Sequence, residues 1–306
     1  MNIMFDLITL GTVSADFFIR GESLTFTDNR FQLAVGGKYF TEDFKETVGG
    51  GGANVAIGAS RCGLKTAVCS KIGNNVFKKM ILARLKKFNV STAPCYFDND
   101  YRNFSVILLN KQGERTIINS SPKTHDFLHQ RNLKTRLSWS KMVYLGNMPH
   151  STIYHKNEIL RFLKSKNILT VVNFGVNDCR EQITKIIPLL DNINILIVNG
   201  HEFAELVKED YNKIDFSTNV VQKYIPSMTD KILVVTLDKK GSYAYHSSEI
   251  IHQLAFSVEK IVDTTGAGDA FTSAFIASYY KHKNIEKALQ SGAHYASHIL
   301  GKIGAN

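Results

Sequence analysis

From about residue 141 onward, runs that are apolar almost throughout alternate with runs of helical period. "SKMVYLGN" precedes "IYHKNEILRFLKSK", "ILTVVNFG" precedes "CREQITKIIPLLDN", and "INILIVNG" precedes "HEFAELVKED". "KILVVTL" then leads on to "VDTTGAGDAFTSAFIASYY", residues 262–280, read as a strand ending near Val262 and a helix. A strand with no polar face must be covered on both sides, and helices between successive strands permit parallel crossovers. The rhythm therefore predicts an α/β fold with a central, mostly parallel sheet flanked by helices. In such sheets ligands gather at the carboxyl ends of the strands.

The first 125 residues follow another pattern. "ADFFIRGE", "KYFTEDFKETV" and "FSVILLNKQGERTIIN", with a turn at "NKQG", alternate or pair like hairpin strands. They predict a small β-sheet built from residues of about 12–47 and 95–121, an excursion from a single domain spanning 1–306 and placed to act as a lid. No Pro/Gly/Ser-rich linker, repeat or low-complexity segment divides the chain.

The start "MNIMFDLITLGTVSAD" carries Asp6 inside its apolar run and no basic leader, so it reads as a core strand rather than a signal peptide. No run reaches the roughly 18 apolar residues of a membrane span, and a cytoplasmic location is expected. Cys62, Cys69, Cys95 and Cys179 are too scattered for a CxxC pair and suit reduced, packed thiols. The net charge of +10 is uneven, because residues 47–97 contain no Asp or Glu. Within "VFKKMILARLKKFNV", however, Phe77, Met80, Ile81, Leu85 and Phe88 recur at helical spacing and put the basic residues on a solvated face. The charge by itself does not choose among nucleic acid, an anionic surface and an anionic small substrate, but with no nucleic-acid motif or aromatic platform a solvated helix face accounts for this basic stretch better than a nucleic-acid patch.

Two glycine-rich stretches carry the chemistry. In "DTTGAGDAF", Gly266, Ala267 and Gly268 open a helix whose first N–H groups lack intrahelical partners and, with the helix dipole, favour an anion. Asp269 beside them would repel that anion. As a general base it would instead take the proton of an attacking hydroxyl; as structure it would complement the helix dipole. In "VGGGGANVAIGASRCG", four glycines open a second helix and allow close backbone approach. A dinucleotide fingerprint would need an acid about 20 residues on, and the region has none; the Walker A pattern is also absent.

Taken together, "GGGGANVAIGASRCGLKTAVCSKIG" and "DTTGAGDAFTSAF" resemble the two signatures of the ribokinase family, also called PfkB carbohydrate kinases. "LGTVSAD", the "GERT" hairpin, "NGHE" and "VVTLDKKGSYAY" extend the resemblance over essentially the whole chain. It implies transfer of the γ-phosphoryl group of ATP to a hydroxyl of a sugar or nucleoside. By resemblance Asp269 is the catalytic base, and Gly266, Ala267 and Gly268 are the anion hole. Asp16 binds substrate hydroxyls, with Gly50, Gly52 and Asn54 as the pocket floor. Asn199 and Glu202 act on the Mg²⁺-phosphate network through water, and Thr236 and Gly241 pass the nucleotide. Asp263, Thr265 and Gly304 correspond to a K⁺ site of some members.

This chain departs from the family at Asp238, where the nucleotide loop commonly has Gly, and at "IGNN", where Asn replaces a frequent Asp. Phosphosugar kinases of the family tend to carry a basic residue after N-V-A and to lack the first Asp; here Ile57 and Asp16 stand there. An unphosphorylated sugar is thus the expected acceptor. A nucleoside is the alternative, with Phe17, Phe18, Phe40, Tyr101 or Phe104 as candidate walls for a base, and a non-catalytic sugar- or nucleotide-binding regulator is the third reading. The exposed edges of the small sheet suggest a homodimer through the lid.

Overall fold

The computed structural model describes residues 4–21, 24–28, 30–110, 115–120, 127–148, 150–259, 261, 263–301 and 304–305. The apolar runs form one eight-stranded sheet. Its order is Glu249–Gln253, Ser242–His246, Ile232–Thr236, Ile195–Asn199, Leu169–Val172, Ser140–Leu145, Phe5–Leu10, Thr66–Cys69. The last six are mutually parallel. Side chains alternate across the sheet, so it feeds two cores. Leu7, Met142, Tyr144, Val171, Ile197 and Val234 share a cluster with Val55, Phe271, Phe275 and Leu289 of helices Gly51–Arg61, Ala267–His282 and Ile285–Leu300. Ile8, Val143, Val172, Leu196 and Val235 pack on the other face with Leu160, Leu189 and Phe203 of helices Ile153–Ser165, Ile183–Leu190 and Gly200–Val207.

One expectation fails here. The strand expected to end near Val262, which lies outside the described residues, has no counterpart among the described ones: two antiparallel strands, Ser242–His246 and Glu249–Gln253, follow Ile232–Thr236, and residues 254–259 continue without regular structure. The edge hairpin was hard to see because its outer strand is largely solvated and so lacks the apolar run of its neighbours.

A second sheet has the order Arg115–Ser120, Phe104–Leu109, Ser14–Arg20, Asp43–Gly49. Its strands come from the two stretches expected to pair. Within them, Lys38–Glu42 form no strand, Thr25–Thr27 pairs with Arg30–Gln32, and Tyr96–Asp98 pairs with Lys71–Gly73 outside this sheet. The turn expected at "NKQG" lies, beyond Asn110, outside the described residues, as do Gly113 and Glu114 of "GERT". Residues directly opposite in a ladder share a face. One face therefore carries Asp16, Thr47, Ser105 and Asn119 in a row, then Phe18, Lys45, Ile107 and Ile117, then Arg20, Asp43, Leu109 and Arg115.

The basic helix Lys78–Lys87 buries Ile81 and Leu85 and exposes Lys79, Lys86 and Lys87, as its period predicts. Arg61 and Arg84 stack on Phe88, and Lys78 on Phe97. All four cysteines are free thiols. Among the described residues, no helix is long and apolar enough to cross a membrane.

Candidate active site

Helix Ala267–His282 begins at Gly266, whose φ of 77° is left-handed. Glycine is required there twice over, because a Cβ would also overlap Ala305. Among the described residues the N–H groups of Gly266, Gly268 and Asp269 have no acceptor, whereas that of Ala267 reaches Thr264 O at 3.4 Å. A Cβ on Gly268 would meet nothing within 4 Å, so this helix end faces open space. Orphan donors at the positive end of a 16-residue helix form an anion-binding surface.

Asp269 lies in the first turn of that helix. Its Oδ2 accepts the Asn54 side-chain N–H at 2.8 Å. Burial pushes its carboxyl above the ordinary carboxylate range, with the Asn54 donor pulling partly back. Asn54 arrives on helix Gly51–Arg61, seated by glycines against the segment after the first strand. A Cβ on Gly50, at φ 87°, would stand 2.5 Å from Thr12 O, and one on Gly52 2.7 Å from Gly11 C. The glycine requirement at 50 and 52 is thus met inside the protein. The other two of the run face carboxylates: a Cβ on Gly51 would be 3.6 Å from Asp269 Oδ1, and one on Gly49 would overlap Asp16 Oδ2. One glycine run therefore joins the two acids.

Asp16 is buried at the inner row of the second sheet, where the Ser14 hydroxyl donates to it at 2.7 Å and the Ser105 hydroxyl also bonds it. Burial nevertheless raises its pKa. Asn199 and Glu202 close a capping box at the C-terminal end of a central strand: Glu202 N–H donates to Asn199 Oδ1 at 2.8 Å, and Asn199 N–H to Glu202 Oε2 at 2.9 Å. Glu202 Oε1 has no protein partner among the described residues. Burial raises the Glu202 pKa, the Asn199 N–H pulls it partly back, and the charge of Asp269 raises it.

Thr236 pairs with Asn199 across the sheet and leads into a tight turn closed by Leu237 N–H to Gly241 O at 2.7 Å. Gly241 has φ 88°, and Asp238, standing where a glycine is common, takes a left-handed φ of 48° that Asp tolerates better than most residues. Among the described residues no hydrogen bond joins Thr236 or Gly241 to Asp269. Asp263 is fully buried; its Oδ1 accepts the Thr265 N–H at 2.8 Å and hydroxyl at 2.6 Å, and its Oδ2 the Gly304 N–H at 2.9 Å.

Some contributors were not singled out in the sequence. Gly49 and Gly51 are two, and Arg115 is a third: from the edge of the second sheet its guanidinium donates to the Thr264 hydroxyl, next to the open helix end. Among the described residues the aromatics named for a base do not gather at one place: Tyr101 faces Lys71. Phe17 stacks with Phe44 and Phe77 on the opposite face of the sheet from Asp16, Phe104 joins Phe77 there, Phe40 is exposed, and Phe18 packs on Ile107 and Leu109.

Residues 19–306 match the model of the pfkB family carbohydrate kinases. The chain is 26% identical over 311 residues to a ribokinase of Lactococcus lactis, covering 99% of this chain and 93% of that one. It is 22% identical over 317 residues to an ATP-dependent 6-phosphofructokinase of Thermoanaerobacterium thermosaccharolyticum, covering 98% and 89%. The solved structure of Arabidopsis thaliana ribokinase with ribose and ATP superposes with a TM-score of 0.77 at 23% identity, over 97% of this chain and 93% of that one. The chain therefore belongs to the pfkB family of carbohydrate kinases, phosphotransferases that act on an alcohol group.

Proposed function

We propose that this protein transfers the γ-phosphoryl group of ATP to a hydroxyl of an unphosphorylated sugar, with Asp269 as general base. The observation that carries the reading is a carboxylate raised by burial, oriented by Asn54 and set in the same helix turn as unpartnered N–H groups. The acceptor hydroxyl gives its proton to Asp269 as its oxygen bonds the γ-phosphorus, and the bond from that phosphorus to the departing ADP oxygen breaks. Gly266, Ala267 and Gly268 stabilise the transferring charge through the helix end. Asp16 holds sugar hydroxyls over a floor of Gly50, Gly52 and Asn54, and Thr236 and Gly241 border the nucleotide.

The row around Asp16 supports a neutral acceptor. Ser14, Asp16, Thr47, Ser105 and Asn119 bring hydroxyls, an amide and one negative charge, while the Lys45 ammonium of the next row lies near Gly304. A sugar phosphate would meet a carboxylate and no cation in that row among the described residues.

Among the described residues, no cluster of three His, Cys, Asp or Glu could hold a metal by itself. That suits Mg²⁺, which keeps waters and phosphate oxygens as ligands and would neutralise phosphate charge, with Asn199 and Glu202 Oε1 behind it through water. Asp263 suits K⁺: it is a fully buried carboxylate flanked by Thr265 and Gly304, with the Lys45 ammonium within electrostatic reach. The second sheet acts as the lid of a single cytoplasmic domain, and its exposed Phe44 and Ile118 form a homodimer contact, which a monomeric mass in light scattering would remove.

The test is ATP consumption by the purified protein across free hexoses and pentoses, their monophosphates and the common nucleosides, with and without K⁺. The expected result is Mg²⁺-dependent turnover on a free sugar, raised by K⁺. Turnover confined to sugar phosphates or nucleosides contradicts the reading.

A further inference from the structure

The second sheet holds a hydroxyl with no partner among the described residues. Thr47 is 3% exposed, and its Oγ1 is buried with no hydrogen-bond partner among them. Leaving such a group unsatisfied is costly, and Thr in a strand is replaced by Val without loss of shape, so an idle hydroxyl is a standing cost. Its position is specific. Thr47 is directly opposite Asp16 in the antiparallel ladder, and Ser105 is directly opposite Asp16 on the other side. All three side chains share the inner face.

Ser14 and Ser105 both give their hydroxyl protons to Asp16, which leaves its remaining lone pairs for donors from outside. A carboxylate can only accept; a threonine hydroxyl both donates and accepts. Side by side they suit two neighbouring hydroxyls of one molecule. In this structure the sheet rests on the body through Arg115 to Thr264 and Phe18 near Gly304, and Asp16, Thr47 and Ser105 of the row are covered while Asn119 is exposed.

We propose that Thr47 is an acceptor-binding residue, pairing with a sugar hydroxyl adjacent to the one held by Asp16, so that the enzyme demands a vicinal diol at this end of the sugar. The inference rests on the sugar-kinase reading above. The experiment compares wild type, Thr47→Val and Thr47→Ser in steady-state kinetics with the best free sugar and with its deoxy analogues, alongside melting temperatures.

The expected result is a KM for the sugar raised about three- to tenfold in Thr47→Val, the range of one neutral hydrogen bond, with kcat and the KM for ATP unchanged. Thr47→Ser stays near wild type. One deoxy analogue is bound equally by wild type and Thr47→Val, and Thr47→Val melts no lower than wild type. An unchanged sugar KM in Thr47→Val overturns the inference while leaving the kinase reading standing. A lowered melting temperature overturns it too, because the hydroxyl would then have a structural partner. A wild type that phosphorylates no free sugar overturns both.

Discussion

Asp16, Glu202 and Asp269 all titrate above the ordinary carboxylate range, and burial is the first cause in each. A carboxylate raised in the folded state binds a proton that the unfolded chain has already released. Its contribution to stability therefore falls as pH rises from its unfolded value through its folded one, and stays lowered at neutral pH. These acids are held against stability, which suits chemistry rather than scaffolding. Asp269→Asn keeps an acceptor for Asn54 and removes the charge. It should melt higher than wild type at pH 7.5, with the gap closing on acidification, as thermal denaturation across pH would read. A variant that melts lower at neutral pH would make Asp269 a structural residue. Asp269 stood out because a carboxylate beside an anion-binding turn would repel the anion, whereas Asp16, in a strand, and Asn54 were marked only by the resemblance of their motifs. Gly49 and Gly51 were not separable from Gly50 and Gly52, since a run of four glycines does not say which faces a ligand. Thr47 and Arg115 matter through strand register and docking, which only the folded chain displays.

At the level of elements, the strands buried on both faces were readable from their unbroken apolar runs, and the helices between them from their period. The edge hairpin of Ser242–His246 and Glu249–Gln253 was not, because its solvated strand has no such run. The second sheet was legible by alternation, yet its order was not: Ser14–Arg20 pairs in parallel with Phe104–Leu109, far along the chain. This sheet touches the anion loop through Arg115 and the C-terminal loop through Phe18 and Lys45. Phosphoryl transfer requires water to be kept out, so the sheet should settle on the body when both substrates are bound. Hydrogen exchange in Ser14–Arg20, Phe104–Leu109 and Arg115–Ser120 should slow on adding the sugar with a non-hydrolysable ATP analogue. Equal exchange in both states would mean a fixed wall rather than a lid.

Over the whole molecule, the main sheet delivers Gly11 and Thr12, Asn199 and Thr236 at the carboxyl ends of parallel strands, and the helix pair Gly51–Arg61 and Ala267–His282 brings Asn54 onto Asp269 from opposite parts of the chain. The second sheet adds Asp16 across the glycine run. Everything in the proposed reaction converges on one proton acceptor, so the most direct measurement is turnover of Asp269→Asn with the best sugar, together with its affinity for ATP. The account predicts a folded variant that binds ATP at least as tightly as wild type, because the helix-end N–H groups are untouched and a negative charge beside them is gone. Its turnover should fall by about 10²- to 10⁴-fold, the range of a general base. A folded variant whose turnover stays within about threefold of wild type, far inside that range, would contradict it.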